Sequence, residues 1–434
     1  MARSQNSRLT SQARACELSW ERGLPARPVV ARARHAANRQ HVGAGSGLEA
    51  RAPSIRGHRL FTDRASQALW LALPVAALIL TYATPARAVT GHHAPAPALT
   101  LANALALMPD TPAVRAGGVW YNNYALAERT YGINATTTIT NGAPDIQNYY
   151  RAILPLRPGA ETGVAALASG QWRLAYGYDL FQLAGDIHTS SGSACPHGGG
   201  PNYALAVAIA AGALDTAAMT RALAASAYTH AATDRAGFFH RTSLFLTGSH
   251  GAVMNALLIG PRRIIAGARP CDVAHAGQLV DQGAATLGQD GAYVALATAL
   301  GPVQAAYLAG NIRPPAFALP PFPPPPGGHA GPPLHPFGFY AVAYQETTPG
   351  DRYVELGLGY GRRADALADV ETLRGRLQQE SLSIYGAPWS RLTSIASLTV
   401  SGNVLLARLR LQPSTPPTLW QDIVAEHALS LLSR

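Results

Sequence analysis

Three side chains that can bind a metal or move a proton stand close together near the middle of the chain. His188, Cys195 and His197 precede a run of glycines at 198–200. Two imidazoles and a thiolate would suit zinc. Their spacing is not the His-x-x-x-His repeat that places two ligands on one face of a helix, and Cys195 has an alternative use in a disulfide. We therefore expect no metal and no other cofactor.

Two further stretches resemble catalytic motifs and depart from them. Residues 248–251 read Gly-Ser-His-Gly. A nucleophile elbow requires Gly-x-Ser-x-Gly between a strand and a helix, and this stretch is one residue short, so it predicts a turn. The glycines at 198–200 are not followed by Lys-Ser or Lys-Thr, so they form no phosphate-binding loop. The sequence assigns no catalytic residue.

The histidines nevertheless leave an enzyme open. A polar cluster of His188, His197, His240 and His250 would serve a hydrolase if the fold gathered all four beside an acid, because a general base needs a carboxylate or similar partner close in space. Scattered and exposed histidines would instead favour a binding protein without enzymatic activity. We carry both hypotheses forward and favour the binding protein.

An apolar stretch, residues 65–86, contains no charged side chain and follows Arg59 and Arg64. It predicts either a secretory signal peptide, cut after Ala88 at the small-x-small site that Ala86 begins, or an uncleaved transmembrane helix. Either way the N-terminus stays in the cytoplasm and the rest of the chain is exported. An uncleaved segment would make the membrane a partner through residues 65–86.

The positive charge does not indicate nucleic-acid binding. The chain carries a formal net charge of +10, but residues 1–64 hold twelve arginines against four acidic residues, which is +8. The exported part carries the remaining +2. A nucleic-acid interface needs a concentrated basic surface, so we expect no nucleic acid as a partner. The protein or small molecule that does bind is not identified by the sequence.

Cysteine usage agrees with export. Beyond the arm, the chain has only Cys195 and Cys271. A pair of cysteines in an oxidising compartment predicts a disulfide, which would stabilise the fold by roughly 4 kcal/mol in the chain-entropy model. Two free thiols are the alternative.

The pattern of apolar residues divides the chain into five parts. We expect a basic arm at 1–64, the signal or transmembrane segment at 65–88, a first α+β region at 89–313, a proline-rich linker at 314–336 and a second α+β region at 337–434. Prolines fix φ and remove backbone donors, so 314–336 cannot build regular structure.

Within these regions the predicted fold class is α+β, with two ferredoxin-like lobes. We expect helices at 101–108, 119–131, 216–228, 271–288, 292–308, 364–379 and 419–432, and strands at 203–214, 238–245, 256–266, 337–347, 352–361 and 398–411. Asp215 should cap the helix that follows it, because its carboxylate can accept from free amides of the first turn.

Several short motifs resemble those of a family of exported proteins and lipoproteins from actinobacteria and chloroflexi. They are Gly-Tyr-Asp-Leu-Phe-Gln at 177–182, Gly-Ala-Leu-Asp at 212–215, the helix at 219–228, Pro-Asp-Thr-Pro at 109–112 and Trp-Tyr-Asn-Asn-Tyr at 120–124. The resemblance implies an extracytoplasmic protein and supplies no reaction. Unlike the family's lipoproteins, this chain has no cysteine after its apolar stretch until Cys195.

Overall fold

The computed structural model describes the greater part of the chain beyond residue 98. The described residues are 99–133, 149, 151–153, 155–156, 171–178, 180–189, 205–226, 229–230, 237–240, 256–267, 269–282, 286–310, 332–382, 385–425 and 430–432. All belong to a compact unit, His93–Arg434. The apolar stretch at 65–86 lies outside them. None of the described helices has the length and apolar character needed to cross a bilayer.

One antiparallel sheet of twelve strands organises the described residues, in the order β13-β14-β10-β9-β8-β1-β2-β3-β7-β6-β5-β4. A separate two-stranded sheet pairs β11 with β12. The strands are β1 Val119–Asn122, β2 Leu183–Thr189, β3 Leu205–Ala210, β4 Thr229–His230, β5 Phe238–His240, β6 Ala256–Ile259, β7 Arg263–Gly267, β8 Ala305–Gly310, β9 Phe337–Glu346, β10 Arg352–Tyr360, β11 Ser381–Leu382, β12 Ala387–Pro388, β13 Thr393–Ser401 and β14 Val404–Leu411. This mixture of helix and strand confirms the α+β class.

Ten helices accompany these strands in the described part of the chain. They are α1 Leu101–Leu105, α2 Pro112–Gly117, α3 Tyr124–Thr130, α4 Gln171–Tyr176, α5 Thr216–Ala225, α6 Pro270–Gln282, α7 Gly291–Leu300, α8 Arg363–Gln379, α9 Trp389–Leu392 and α10 Leu419–Ala425. The predicted cap is present, since the Asp215 side chain accepts from Ala218 N at the start of α5.

The helices cover both faces of the sheet, and each face has its own apolar core. Helices α3, α5, α8, α9 and α10 pack on what we call the front face, where Trp389 and Trp420 are fully buried. Helices α1, α2, α6 and α7 pack on the back face around Tyr121 and Tyr293. Because side chains alternate along a strand, each strand contributes to both cores.

The five strands nearest the centre have the same order in both halves of the sheet, and the first half adds β5 and β4 at its edge. Strands β1, β2 and β3 form a meander, α5 follows, and the chain returns so that β7 pairs with β3. Strands β8, β9 and β10 form a second meander, α8 follows, and β14 returns to pair with β10. The halves meet where β1 pairs antiparallel with β8.

Two predicted helices are partly strands. Residues 119–131 were expected to form one helix, but Val119–Asn122 is strand β1 and the helix begins at Tyr124. Backbone pairing of β1 with two neighbours outweighs the helical spacing of its aromatic residues. The helix expected at 292–308 ends at Leu300, because Gly301 adopts φ 68° and Pro302 follows it. Its remaining residues, from Ala305, belong to strand β8.

Two predicted strands are hairpins. The strand expected at 256–266 breaks at Gly260, and its two parts, β6 and β7, pair with each other. The strand expected at 398–411 turns at Gly402, which adopts φ 59°, and its parts pair as β13 and β14. Both turns carry a local signal that the prediction overlooked, Gly-Pro at 260–261 and Gly-Asn at 402–403. The hairpin of β9 and β10 and the helix α8 agree with the sequence prediction.

Candidate functional site

An acid and an imidazole lie side by side at the centre of the front face. Asp186 and His188 are two positions apart on β2, so their side chains point to the same face of the sheet. Their partners across the ladder on β1 are Asn122 and Trp120. Strand pairing alone therefore gathers a carboxylate, an imidazole, an amide and an indole.

Hydrogen bonds converge on the Asp186 carboxylate. Asn122 Nδ2 donates to Oδ1 at 3.0 Å, the Tyr124 hydroxyl donates to Oδ2, and His188 Nδ1 lies 2.9 Å from Oδ1. An ionised carboxylate only accepts, so His188 carries its hydrogen on Nδ1 and keeps Nε2 as its basic atom. The His188 side chain is 35% exposed and that of Asp186 is 11% exposed. Asp186 therefore orients an imidazole that remains within reach of solvent.

Aromatic rings fix the other side of this imidazole. The Trp120 ring stacks on His188 with an interplanar angle of 6° and a centroid separation of 6.3 Å. Trp120 also packs against Tyr307 at 4.8 Å and Trp420 at 5.6 Å between centroids. Trp420 is anchored in turn, since its Nε1 donates to the carbonyl of Pro155 at 2.5 Å. The ring of His188 is thus held by a carboxylate at one edge and an indole against its face.

Pro155 also borders a pocket of about 200 Å³. We call it the arginine pocket, after two guanidinium groups that it contains. It is lined by Tyr131, Arg151, Pro155, Glu346, Gly350, Arg352 and Pro417. The lining residues come from the end of α3, the adjoining segment at 151–156, the β9–β10 hairpin and the loop before α10. The pocket therefore joins parts of the chain that lie far apart in sequence.

The acid of this pocket is held by neighbouring donors. Glu346 Oε1 accepts from Gly350 N at 2.6 Å, and Oε2 accepts from the Tyr344 hydroxyl at 2.9 Å. The Tyr131 hydroxyl lies 3.1 Å from Oε1 and 3.2 Å from Oε2. Glu346 is 4% exposed. Its carboxylate is therefore stabilised by local donors instead of by an arginine.

The two arginines of the pocket affect the pKa of Tyr131. Burial, and then the nearby Glu346 charge and hydrogen bond, raise the pKa of Tyr131 to about 12, while the positive charges of Arg352 and Arg151 oppose the rise. Both arginines line the same pocket as this tyrosine. Arg352 Nε is buried and has no hydrogen-bond partner among the described residues. The pocket therefore contains donor capacity that its own acid does not use.

The predicted polar cluster is only partly within the described residues. His188 lies on β2 and points to the front face, whereas His240 lies on β5 and alternates with Phe239, a residue of the front core, so it points to the back face. Four strand steps of about 4.8 Å each separate their strands, or roughly 19 Å. These two histidines do not share a site. His197 and His250 lie outside the described residues.

One cysteine of the predicted disulfide, Cys271, lies within the described residues, in the first turn of α6. Cys271 is disulfide-bonded. Cys195 lies outside the described residues, so its pairing with Cys271 stays a prediction, as does cleavage at Ala86 and Ala88. Among the described residues no group of three or more histidine, cysteine or acidic side chains is placed to hold a metal ion.

The sequence contained a signal for two site residues that it did not single out, Asp186 and Glu346. Asp186-x-His188 and Tyr344-x-Glu346 each place two polar side chains two positions apart, and on a strand this spacing means one shared face. Recognising it required the strands to be identified first. Arg151 and Arg352 carried no such signal, because only tertiary folding brings them to Tyr131.

A comparison of the chain with family models, curated proteins and solved structures finds no match in any of the three.

Proposed function

We propose that this chain is an extracytoplasmic, envelope-associated binding protein without enzymatic activity. The observation that carries the proposal is the arginine pocket, where fixed charges and hydrogen-bond donors line a concavity of about 200 Å³. Such a small number of convergent polar groups in a preformed concavity is typical of ligand sites. The lining residues include no serine, cysteine or histidine, which favours a place to bind over a serine- or cysteine-dependent hydrolytic centre.

The placement of the histidines favours binding over hydrolysis. A hydrolase of the kind considered from the sequence would need His188 and His240 in one site, and they lie on opposite faces of the sheet. The carboxylate beside His188 is already shared by Asn122 and Tyr124. This arrangement fits a rigid front face better than a centre that exchanges protons.

Export of the folded part is supported by three features. The uncharged stretch at 65–86 is long enough to enter a bilayer. Cys271 is disulfide-bonded, which is typical of oxidising compartments. The motifs near 109–124 and 177–228 resemble exported proteins and lipoproteins of actinobacteria and chloroflexi. Residues 65–86 would then either be removed or hold the protein at the membrane.

We also propose that the exported part consists of two related α+β halves, in line with the two lobes expected from the sequence. The shared order of meander, helix and returning strand in β1–β7 and β8–β14 supports this. The antiparallel junction of β1 with β8 would place the halves about an approximate two-fold axis.

The second candidate is an exported hydrolase, and the Asp186–His188 pair is the observation that favours it. A carboxylate that orients a partly exposed imidazole through Nδ1 is the arrangement of a general base. Among the described residues His188 makes no hydrogen bond to a hydroxyl or thiol, so the nucleophile of such a hydrolase would be water or a residue outside that part of the chain.

The binding protein and the hydrolase are distinguished by whether the full chain hydrolyses a substrate. The full chain is recovered from membrane and secreted fractions, analysed for bound metal, and incubated with ester, amide and glycoside substrates beside His188→Gln. We expect no stoichiometric zinc and no turnover above the His188→Gln background. Stoichiometric zinc, or turnover that His188→Gln abolishes, would establish the hydrolase and overturn the binding proposal.

A further inference from the structure

We propose that the arginine pocket binds one small oxyanion group, a carboxylate or a phosphate, and that Arg352 and Arg151 are its donors. This inference rests on the proposed binding function and specifies the chemistry of the ligand.

The charges in the pocket do not cancel. Two guanidinium groups face one carboxylate, so the lining carries an excess positive charge. Glu346 accepts from the Tyr131 hydroxyl, the Tyr344 hydroxyl and Gly350 N, and no ion pair joins it to an arginine among the described residues. Because these three donors already hold Glu346, and no arginine pairs with it among the described residues, the arginines are left to an anion from outside.

Arg352 has a specific unmet requirement. Its Nε is buried without a hydrogen-bond partner, and its terminal Nη2 reaches only the carbonyl of Pro413, at 3.4 Å. A buried donor without an acceptor costs free energy, and a charged donor costs more. Because Nε is enclosed by protein, an oxyanion in the pocket would have to meet the terminal nitrogens of Arg352, and two such nitrogens in one plane match the two oxygens of a carboxylate or phosphate.

Arg151 completes the pair from the solvent side. Its side chain is exposed, whereas that of Arg352 is partly buried. Both arginines line the same pocket as Tyr131. One arginine inside and one at the rim suit a ligand whose charged end enters first.

The size of the pocket limits what enters. About 200 Å³ corresponds to roughly seven water molecules at about 30 Å³ each, enough for one oxyanion group and a short attached segment. Pro155 and Pro417 form part of the lining, and their fixed φ angles restrict widening. A larger ligand would therefore leave most of its body outside.

The test measures anion binding by calorimetry and thermal unfolding of the full chain, with inorganic phosphate and acetate as probes and sodium chloride holding ionic strength constant. Arg352→Gln and Arg151→Gln are compared with Arg374→Gln, which removes an arginine that pairs with Glu371 on α8. We expect saturable binding of at least one probe, weakened tenfold or more by either pocket variant and unchanged in Arg374→Gln. Vesicles of phosphatidylglycerol and of phosphatidylcholine then distinguish an anionic lipid headgroup from a free anion as the source.

The inference is overturned if neither probe binds saturably, or if the three variants bind equally, because the effect would then be ionic strength alone. Should Arg352→Gln fail to fold, Arg151→Gln decides, since its side chain is exposed and its loss leaves the core intact. Absence of anion binding would refute this inference alone. The proposed binding function would instead be refuted by enzymatic turnover that depends on His188.

Discussion

Tyr124, the first residue of α3, donates a hydrogen bond to Asp186 on β2, 62 positions further along the chain. The same carboxylate accepts from Asn122 and contacts His188. One buried acid therefore connects a helix, two strands and a partly exposed imidazole at the centre of the front face.

Replacing this acid should destabilise the protein strongly. Asp186→Asn keeps the shape but converts one acceptor oxygen into a donor that faces other donors, and we expect a loss of about 3 kcal/mol in the free energy of unfolding. Urea unfolding at unchanged m-value measures it. Asp281→Asn is the control, because Asp281 forms an exposed ion pair with Arg263 and should matter little. Equal effects from the two variants would contradict this role for Asp186.

Glu128 should make stability depend on pH. It is 4% exposed on α3, and burial raises its pKa from 4.5 to about 8. Because the folded state holds the proton more tightly, the free energy of unfolding should fall as pH rises from about 4.5 to about 8 and then level off.

Glu128→Gln should remove this fall and stabilise the protein at pH 8 by about 4 kcal/mol relative to the unchanged chain. Chemical unfolding at pH 5 and pH 8 provides the measurement. Glu371→Gln serves as the control, since the Glu371 side chain is 77% exposed. A pH dependence that survives in Glu128→Gln would argue against a neutral, buried Glu128.

His335 and His275 should have opposite effects on how the stability of the protein depends on pH. The hydrogen bond from His335 Nδ1 to Asp369, together with the charge of that carboxylate, raises the pKa of His335. Its contribution to stability is therefore complete below the unfolded histidine pKa and is lost as pH rises through the folded value. Burial lowers the pKa of His275, partly opposed by Asp272, so His275 destabilises the fold as pH falls.

This prediction is checked by measuring the thermal unfolding midpoints of the unchanged chain and of one variant of each histidine between pH 5 and pH 8.5. His335→Gln should lower the midpoint mainly at acidic pH, and His275→Gln should raise it there. Shifts of the same sign in both variants would be incompatible with the two environments.

Gly118 should not accept a side chain. It adopts φ 68°, and a Cβ at this position would collide with the ring of Tyr307, which packs on Trp120. We expect Gly118→Ala to cost about 2 kcal/mol from strain and displacement of the ring. Gly375→Ala lies within α8 with open space around it and should stabilise by about 0.5 kcal/mol. Chemical unfolding of both variants measures the difference, and the opposite order would refute the collision.

The disulfide of Cys271 can be mapped directly. We expect non-reducing peptide mass spectrometry to link Cys271 with Cys195, and Cys271→Ser to lower the free energy of unfolding by about 4 kcal/mol. A Cys271 peptide joined to Cys16, or found as a free thiol, would exclude this pairing.

The sequence predicted elements best where local signals agreed with the tertiary structure. Strands β9 and β10 are apolar runs on either side of the turn at 348–351, and the buried residues of α8 recur at helical spacing. Trp120 and Tyr124 share helical spacing too, yet Trp120 belongs to a strand, because β1 pairs with both β2 and β8. No local pattern contains that information.

The candidate sites were harder to predict for the same reason. Asp186 meets Tyr124, and Glu346 meets Tyr131, only after strands distant in sequence have paired. The sequence drew attention to histidines because their chemistry is conspicuous, whereas the arginine pocket depends on Arg151 and Arg352 approaching one hydroxyl. Residue type alone cannot reveal such an approach.

The pairing of Val119 with Leu308 and of Asn122 with Ala305 has a consequence for biosynthesis. Strand β1 is translated long before β8, so its second edge stays open while the intervening residues are made. An unpaired edge can recruit any extended polypeptide nearby. A nascent chain stalled before residue 305 would thus be aggregation-prone. Synthesis of β8 ends this exposure, because β8 pairs with the open edge of β1.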